Sequence, residues 1–346
     1  MSVVFPSVMK TPLWGVLMVV FLVWSLHTLD AGSMRETIIR SETFSLKSGA
    51  GKSKNISLET VEMNPNRPLI LYAYSEEETA RENFKFFLRH GLHGAADFVF
   101  IINGESDIVE SIPKEPNFRV VQRPNECYDI GAHSEVLQKD NLYKKYKRFI
   151  LLNASIRGPF SPQWANGCWS DMYLERLSNE VKLVGMTANC GPSFHVQSMI
   201  LATDKEGMET LLHPTEEALT IYKANPPNEA FPVEFEKDQT PGINGCFKTY
   251  AHAVKAEISI TSLIRAAGYK YDVMMSAFKG MADYEHTCDP NVGDLLWDRR
   301  YYGINVHPFE TVFIKSNRDI DPLVVQRHTE WAAGRGYTSY DHCKGD

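Results

Sequence analysis

The sequence predicts an α/β domain built on a mainly parallel sheet flanked by helices, preceded by one transmembrane helix. Two observations point to the sheet: from residue 69 onward short apolar runs alternate with stretches of helical period, and several runs end on a polar residue at a turn, as at Asn103, Arg123 and Asn153. A third points to the helix, an uncharged stretch near the N-terminus followed by a polar region. Strand and helix in regular alternation imply βαβ crossovers, which make neighbouring strands parallel and bury them on both faces.

Leu13 to Leu26 carry no charge, and His27 and Thr28 extend the segment to Leu29 before Asp30. At about 17 residues it is at the short end of a spanning helix. Lys10 before it and Asp30 after it place the short tail, residues 1–12, in the cytoplasm and the remainder in the lumen, a type II signal anchor. A signal peptide cleaved near Ala31 is the competing reading. Residues 30–66 run polar, with no sustained apolar period, as a luminal stem, and the folded domain occupies 67–346. Asn55-Ile56-Ser57 in the stem is a glycosylation sequon. The six cysteines, Cys127, Cys168, Cys190, Cys246, Cys288 and Cys343, allow up to three bridges in an oxidising compartment, and several buried free thiols are the alternative reading.

Within the domain LILYAY at 69–74 reads as a buried strand, and the following SEEETARENFKFFLRHGL as a helix capped by Ser75. ADFVFIIN, FRVVQR and RFILLN read as the next strands, with GAHSEVLQK as the helix before the last of these. DMYLERLSN, KLVGMTA, HVQSMILAT and DKEGMETLL continue the same alternation. Residues 213–240, rich in Pro and Glu, predict a surface excursion over a site. AEISITSLIRAAGYKYDVMM predicts a helix, a stop at Gly268 and a final strand, and the remainder reads as loops with short elements.

Composition narrows the function. An apolar fraction of 43% with 23% charged residues is that of a packed domain, and a formal charge of -7 excludes a protein that coats nucleic acid. No Gly-x-Gly-x-x-Gly follows the first strand, and neither a Walker loop nor a Gly-x-Ser-x-Gly elbow occurs. Ligands of open α/β sheets bind at the carboxyl ends of the strands, which directs attention to the loops after Tyr74, Asn103, Arg123 and Asn153.

Two of those loops carry motifs, RPNECYDIGAHSEVL at 123–137 and RFILLNASIRGPF at 148–160. The pair resembles RPNxGYDFGAW followed by a strand ending in NDSxxGP, the pattern of the rhamnan-synthesis F-type proteins and their GT-A-like (Rossmann-like) glycosyltransferase relatives. HVQSMILATDKEGMETLL and EISITSLIRAAGY are similar to two further landmarks, so the resemblance covers about residues 69–275. It implies transfer of a sugar from a nucleotide-sugar donor to a glycan, glycoprotein or glycolipid acceptor, in the Golgi or endoplasmic reticulum. A glycan- or protein-binding module that keeps the fold without catalysis is the alternative.

In such a fold the strand before the sugar site usually ends in Asp-x-Asp, which binds Mn or Mg. Here it ends Asn153-Ala154-Ser155, whose neutral oxygens serve a hard cation poorly, so a divalent cofactor is in doubt. Without metal the diphosphate must meet cations and backbone N–H groups, expected from Arg123, Arg157 and the helix start near Gly131, with Asn125, Asp129, Asn153 and Ser155 around them. Arg123 and Arg157 read equally as surface arginines, and Asn125 and Asp129 as structural caps. Glu257, expected to open a helix, is the candidate base, with Asp171 and Asp129 in reserve. His195 and His307 are candidates for contact with diphosphate or acceptor, against an ordinary structural role. Trp164, Trp169 and Trp297 are candidates for stacking on sugar rings.

Overall fold

The computed structural model describes residues 64–343 apart from residues 163, 229–230, 282, 290–292 and 337. The tail, the signal anchor at 13–29, nearly all of the stem and Asn55 lie outside the described residues. Among those described, no helix is long and apolar enough to cross a membrane.

Seven strands form the central sheet: β1 (Leu69–Ser75), β2 (Asp97–Asn103), β3 (Phe118–Arg123), β4 (Arg148–Asn153), β6 (Val181–Gly185), β9 (Ile200–Asp204) and β10 (Lys270–Val273). Their order is β10-β6-β9-β4-β1-β2-β3. The short strands β5 (Ile156–Arg157) and β11 (Ile314–Lys315) pair antiparallel beside it, as do β7 (Ala188–Asn189) and β8 (His195–Val196). Pairing is parallel throughout the central sheet except at β9, which runs antiparallel to both β4 and β6. The expected alternation therefore breaks at HVQSMILAT, which splits into β8 and β9. A parallel neighbour needs a crossover, usually a helix, but the chain between β6 and β9 forms the β7–β8 hairpin and returns antiparallel.

Strand β1 is buried along nearly its whole length and β2 along all of it, which explains why both read as unbroken apolar runs. Helix α1 (Glu78–His90) covers one face with Ala80, Phe84 and Phe87, a stripe at helical spacing, and Phe84 meets Tyr72 with ring centroids 4.9 Å apart. Ser75 is the last residue of β1, not the helix cap; Glu77 holds that position without a side-chain bond. The other helices of consequence are α2 (Tyr128–Gln138), α3 (Trp169–Leu174), α4 (Lys205–Leu212), α5 (Glu216–Ala224) and α6 (Tyr250–Ala266). The tail adds α7 (Ser276–Gly280), α8 (Tyr284–Thr287), α9 (Pro308–Thr311) and α10 (Pro322–Gly334). Gly268 ends α6 region as expected, at φ +83°. Helix α5 lies within the expected Pro- and Glu-rich excursion, its first turn capped by the Thr215 hydroxyl accepting from the Ala218 N–H.

All six cysteines are paired, as Cys127–Cys246, Cys168–Cys343 and Cys190–Cys288, across 119, 175 and 98 residues of sequence. Long closed loops of this kind remove much of the unfolded chain's freedom. His93 lies beside Cys168 and Cys343, but their sulfurs bond each other, so the trio lacks the thiolates a metal would need.

Two histidines are buried in the core beside these elements. Burial pushes His93 down to about 3 and His133 down to about 4, the latter against an opposing pull from Asp129. Both folded values lie below the unfolded one, so the unfolded chain binds more protons as pH falls through 6.5. Their contribution is whole above about pH 6.5 and is lost on acidification, on the order of 2 kcal/mol for each at pH 5. Thermal unfolding should accordingly show a midpoint that drops between pH 7 and pH 5, with a smaller drop in His93→Leu. A midpoint unchanged over that range would contradict the burial of these rings.

Candidate functional site

A cleft of about 940 Å³ opens at the carboxyl ends of β1, β2 and β4. Its floor is β4's end, one wall is the start of α2, and the others are the β7–β8 hairpin, the first half of α6 and tail residues 294–318. None of the described residues between 213 and 240 lines it, so the expected excursion is not a cover over this site.

At the floor a directed chain of hydrogen bonds runs from a cation to an anion. The Lys315 ammonium donates to Ser155 Oγ at 2.7 Å, and the Ser155 hydroxyl donates to Asn153 Oδ1. The Ser155 backbone N–H also reaches Asn153 Oδ1, at 3.0 Å, and Asn153 Nδ2 donates to Asp129 Oδ2. Asp129 is in the first turn of α2, entered through two consecutive left-handed non-glycine residues, Cys127 at φ +70° and Tyr128 at φ +54°. Such backbone persists only where its surroundings hold it, and here the Cys127–Cys246 bridge does so. Burial, with help from Arg318, pushes Lys315 down to about 8, although Glu257, Asp129 and Asp294 pull the other way.

Opposite the floor, Glu257 Oε1 accepts from both the Ser198 N–H at 2.7 Å and the Ser198 hydroxyl at 2.8 Å. Glu257 lies well inside α6, which starts at Tyr250, so it does not open the helix; a hydrogen-bonded partner one layer away holds it instead. On the hairpin, Asn189 and His195 are cross-strand partners. His195 Nδ1 lies 2.8 Å from the Ser193 carbonyl. A carbonyl only accepts, so Nδ1 carries a proton, and in the neutral ring Nε2 is the nitrogen that presents a lone pair. Asn189 donates to the Gly191 carbonyl at 3.1 Å, and its buried Oδ1 has no partner among the described residues. At the mouth, Arg318 stacks on Trp297 at 5.5 Å and reaches Asp294 at 3.4 Å.

The structure thus gathers Asn125, Asp129, Asn153, Ser155, His195 and Glu257 around one cleft, with Trp297 at its edge. Seven other expected residues lie outside it. Arg123 is buried behind the wall, its guanidinium filled by Glu135 at 2.6 and 2.9 Å, Asn103 at 2.7 Å and the Glu126 carbonyl at 2.9 Å. Arg157 faces away, toward Asn83, Glu82 and Thr329. Gly131 sits past the first turn of α2, where a Cβ would come within 2.9 Å of the Gly245 carbonyl, so its role is close packing. Asp171 belongs to the first turn of α3, its carboxyl raised by burial, and His307 caps α9 by accepting from the Phe309 N–H at 3.1 Å. Trp169 is a core residue donating to the Gly91 carbonyl, and Trp164 is 82% exposed away from the cleft. Sequence reading missed Lys315, Arg318, Asp294 and Asn189; the first three come from a tail without strand or helix periodicity.

No protein-family model matches the chain, and none of the curated proteins does. Solved structures overlay it in part. The glycosyltransferase GlyE of Streptococcus pneumoniae TIGR4 overlays with a TM-score of 0.39 at 10% identity, over 79% of this chain and 65% of that one, so the match spans less than two thirds of GlyE's length. An active-site mutant of LgtC gives 0.38 at 10% identity, over 77% and 95% of the two chains. A mannosyltransferase of Pyrobaculum calidifontis, in complex with GDP-Man and Mn2+, gives 0.29 at 11% identity, over 44% and 50%.

Because its donors are consumed within the protein, Arg123 is expected to act on stability. Arg123→Met should cost about 2–3 kcal/mol in chemical denaturation by stranding Asn103 and the Glu126 carbonyl. Loss of ligand binding with unchanged stability would instead return Arg123 to the site.

Proposed function

We propose that the domain is a GT-A-like glycosyltransferase, related to the rhamnan-synthesis F-type proteins, that takes its sugar from a nucleotide-sugar donor. The observation that carries this reading is the division of labour within one cleft. Cationic side chains, Lys315 and Arg318, stand on the tail side beside Ser155, acceptor atoms of Asn189 and His195 stand on the hairpin, and the carboxylate of Glu257 lies on α6. A nucleotide sugar presents matching chemistry: an anionic diphosphate, and a sugar ring whose hydroxyls need acceptors.

In this arrangement the diphosphate lies at the end of β4 and the nucleoside extends toward Tyr74, Asn103 and Asn125, which line the cleft at the ends of β1, β2 and β3. Sugar hydroxyls donate to Asn189 Oδ1 and His195 Nε2. The acceptor hydroxyl enters past Trp297, 46% exposed and suited to stack on a sugar ring. Its oxygen forms the new bond to the anomeric carbon as the bond from that carbon to the diphosphate breaks. The proton passes to Glu257, and the nucleoside diphosphate leaves with the bonding electrons. Both Ser198 bonds fall on Glu257 Oε1, and among the described residues Oε2 accepts none, which suits it to receive that proton.

The setting is part of the proposal. Three disulfides fit an oxidising compartment, and together with the apolar stretch at 13–29 they support a single-pass type II protein facing the lumen of the Golgi or endoplasmic reticulum. A glycan or glycoconjugate acceptor follows from that placement.

Screening the full-length protein in detergent against a panel of nucleotide sugars tests the reading. One donor should raise the thermal midpoint and be slowly hydrolysed. Glu257→Gln should lower turnover at least about a hundredfold while donor affinity stays within a few-fold. Failure of every nucleotide sugar to bind the folded protein would sink the proposal.

A further inference from the structure

A donor diphosphate brings concentrated negative charge to the end of β4, and the residues there do not suit a divalent ion. Magnesium and manganese favour oxygen ligands that include carboxylates. Asn153 offers an amide that already accepts from Ser155 and donates to Asp129. Ser155 offers a hydroxyl that already accepts from an ammonium. Among the described residues, no cluster of three His, Cys, Asp or Glu ligand atoms occurs in the cleft. A cation placed here would also face the positive charge of Lys315 at short range.

Lys315 itself is held with care. Strand β11 pairs with β5 so that Lys315 stands opposite Ile156, and the Ser316 N–H donates to the Ser155 carbonyl at 3.1 Å. Behind this pair Asn83 donates to the Ala154 carbonyl at 2.8 Å and to Ser316 Oγ at 2.7 Å, locking the two segments in register. An ammonium has three N–H donors. Ser155 takes one, at 2.7 Å, and Lys315 lines the cleft. Its charge is desolvated, and the surrounding carboxylates are engaged: Asp129 by Asn153, Glu257 by Ser198, and Asp294 by Gln197, Arg318 and the Leu296 N–H. A buried cation with unused donors gains from an anionic ligand far more than one in water does.

We infer that Lys315 is the fixed cation that receives the donor's diphosphate in place of a divalent metal ion, so that donor binding needs no metal. This rests on the nucleotide-sugar reading. The lysine undergoes no covalent change; it neutralises charge on the bound diphosphate and on the same group as it departs, while Ser155 and Asn153 aim the ammonium.

Calorimetric titration of the full-length protein with inorganic pyrophosphate, nucleoside diphosphates and nucleotide sugars, in EDTA and in Mn2+, tests this. Wild type should bind with the same affinity in both, within about twofold. Lys315→Met should weaken binding at least tenfold, and Lys315→Arg should retain most of it, with thermal midpoints verifying that each variant is folded. Should Lys315→Met not fold, the wild-type comparison of EDTA with Mn2+ still decides. Binding that appears only with Mn2+, or a Lys315→Met variant that binds as wild type does, overturns the inference. If nucleotide sugars bind but only with Mn2+, the transferase reading survives and the role of Lys315 falls. If pyrophosphate binds without metal through Lys315 and no nucleotide does, the anion site stands and the donor reading falls. If nothing binds, both fall.

Discussion

Two residues on each side, Ile314–Lys315 against Ile156–Arg157, make the pairing on which the cleft depends. It brings the end of the chain back to the carboxyl end of β4 after a separation of more than 150 residues. So small a ladder could not close that loop alone, and several contacts hold it. Phe313 packs edge-on against Trp169 with centroids 5.3 Å apart, and Tyr173 donates to the Thr311 carbonyl at 2.7 Å. Phe86, Phe160, Ile314 and Ala332 form a separate apolar cluster beneath the pair. Gly158 lets the chains approach, since a Cβ there would meet the Phe313 ring at 2.4 Å. The Cys168–Cys343 bridge then ties Cys343 to the start of α3.

The same pairing sets the electrostatics. Burying an ammonium is costly unless a partner compensates it, and a serine hydroxyl compensates only in part. Lys315 is accordingly pushed down by its burial, with Arg318 adding to the effect, while three nearby carboxylates, each hydrogen-bonded to another donor, pull the other way. Rather than collapsing into an internal ion pair, the charges are kept apart by an amide and a hydroxyl that connect them. Separation of this kind leaves positive potential at one edge of the cleft and acceptor atoms at the other, and a ligand carrying both kinds of group can satisfy both.

How far this was legible in the sequence follows from the type of signal each element carries. β1, β2 and β4 are seen where their apolar runs predict, because strands buried on both faces leave an uninterrupted pattern, and β3, the half-exposed edge strand, is seen at its predicted place as well. Helix starts were less legible: α2 begins at Tyr128 and α6 at Tyr250, several residues ahead of their apolar stretches, since the first turn of each faces the cleft and need not be apolar. The reversal of β9 left no local trace, because strand direction is decided by the connection and not by the strand. The Asn153-Ala154-Ser155 end of β4 could be recognised from its motif. Lys315 could not: its strand is two residues long, and its meaning arises only from a partner far away in sequence.

The misplaced arginines show the physical reason most clearly. Arg123 and Arg157 sit at strand ends, where a phosphate contact is a reasonable expectation, yet both guanidiniums point into the protein. Arginine's fork has five N–H donors in a fixed plane and is difficult to bury unless nearly all are met. Once Glu135, Asn103 and the Glu126 carbonyl meet those of Arg123, it becomes a fastener for the wall and has little left to offer a ligand. A lysine in the same region can be held by a single hydroxyl and keep its remaining donors for the cleft. Counting cations near a strand end therefore does not identify a phosphate site; counting the donors that the protein leaves unused does, and by that measure the floor of this cleft belongs to Lys315.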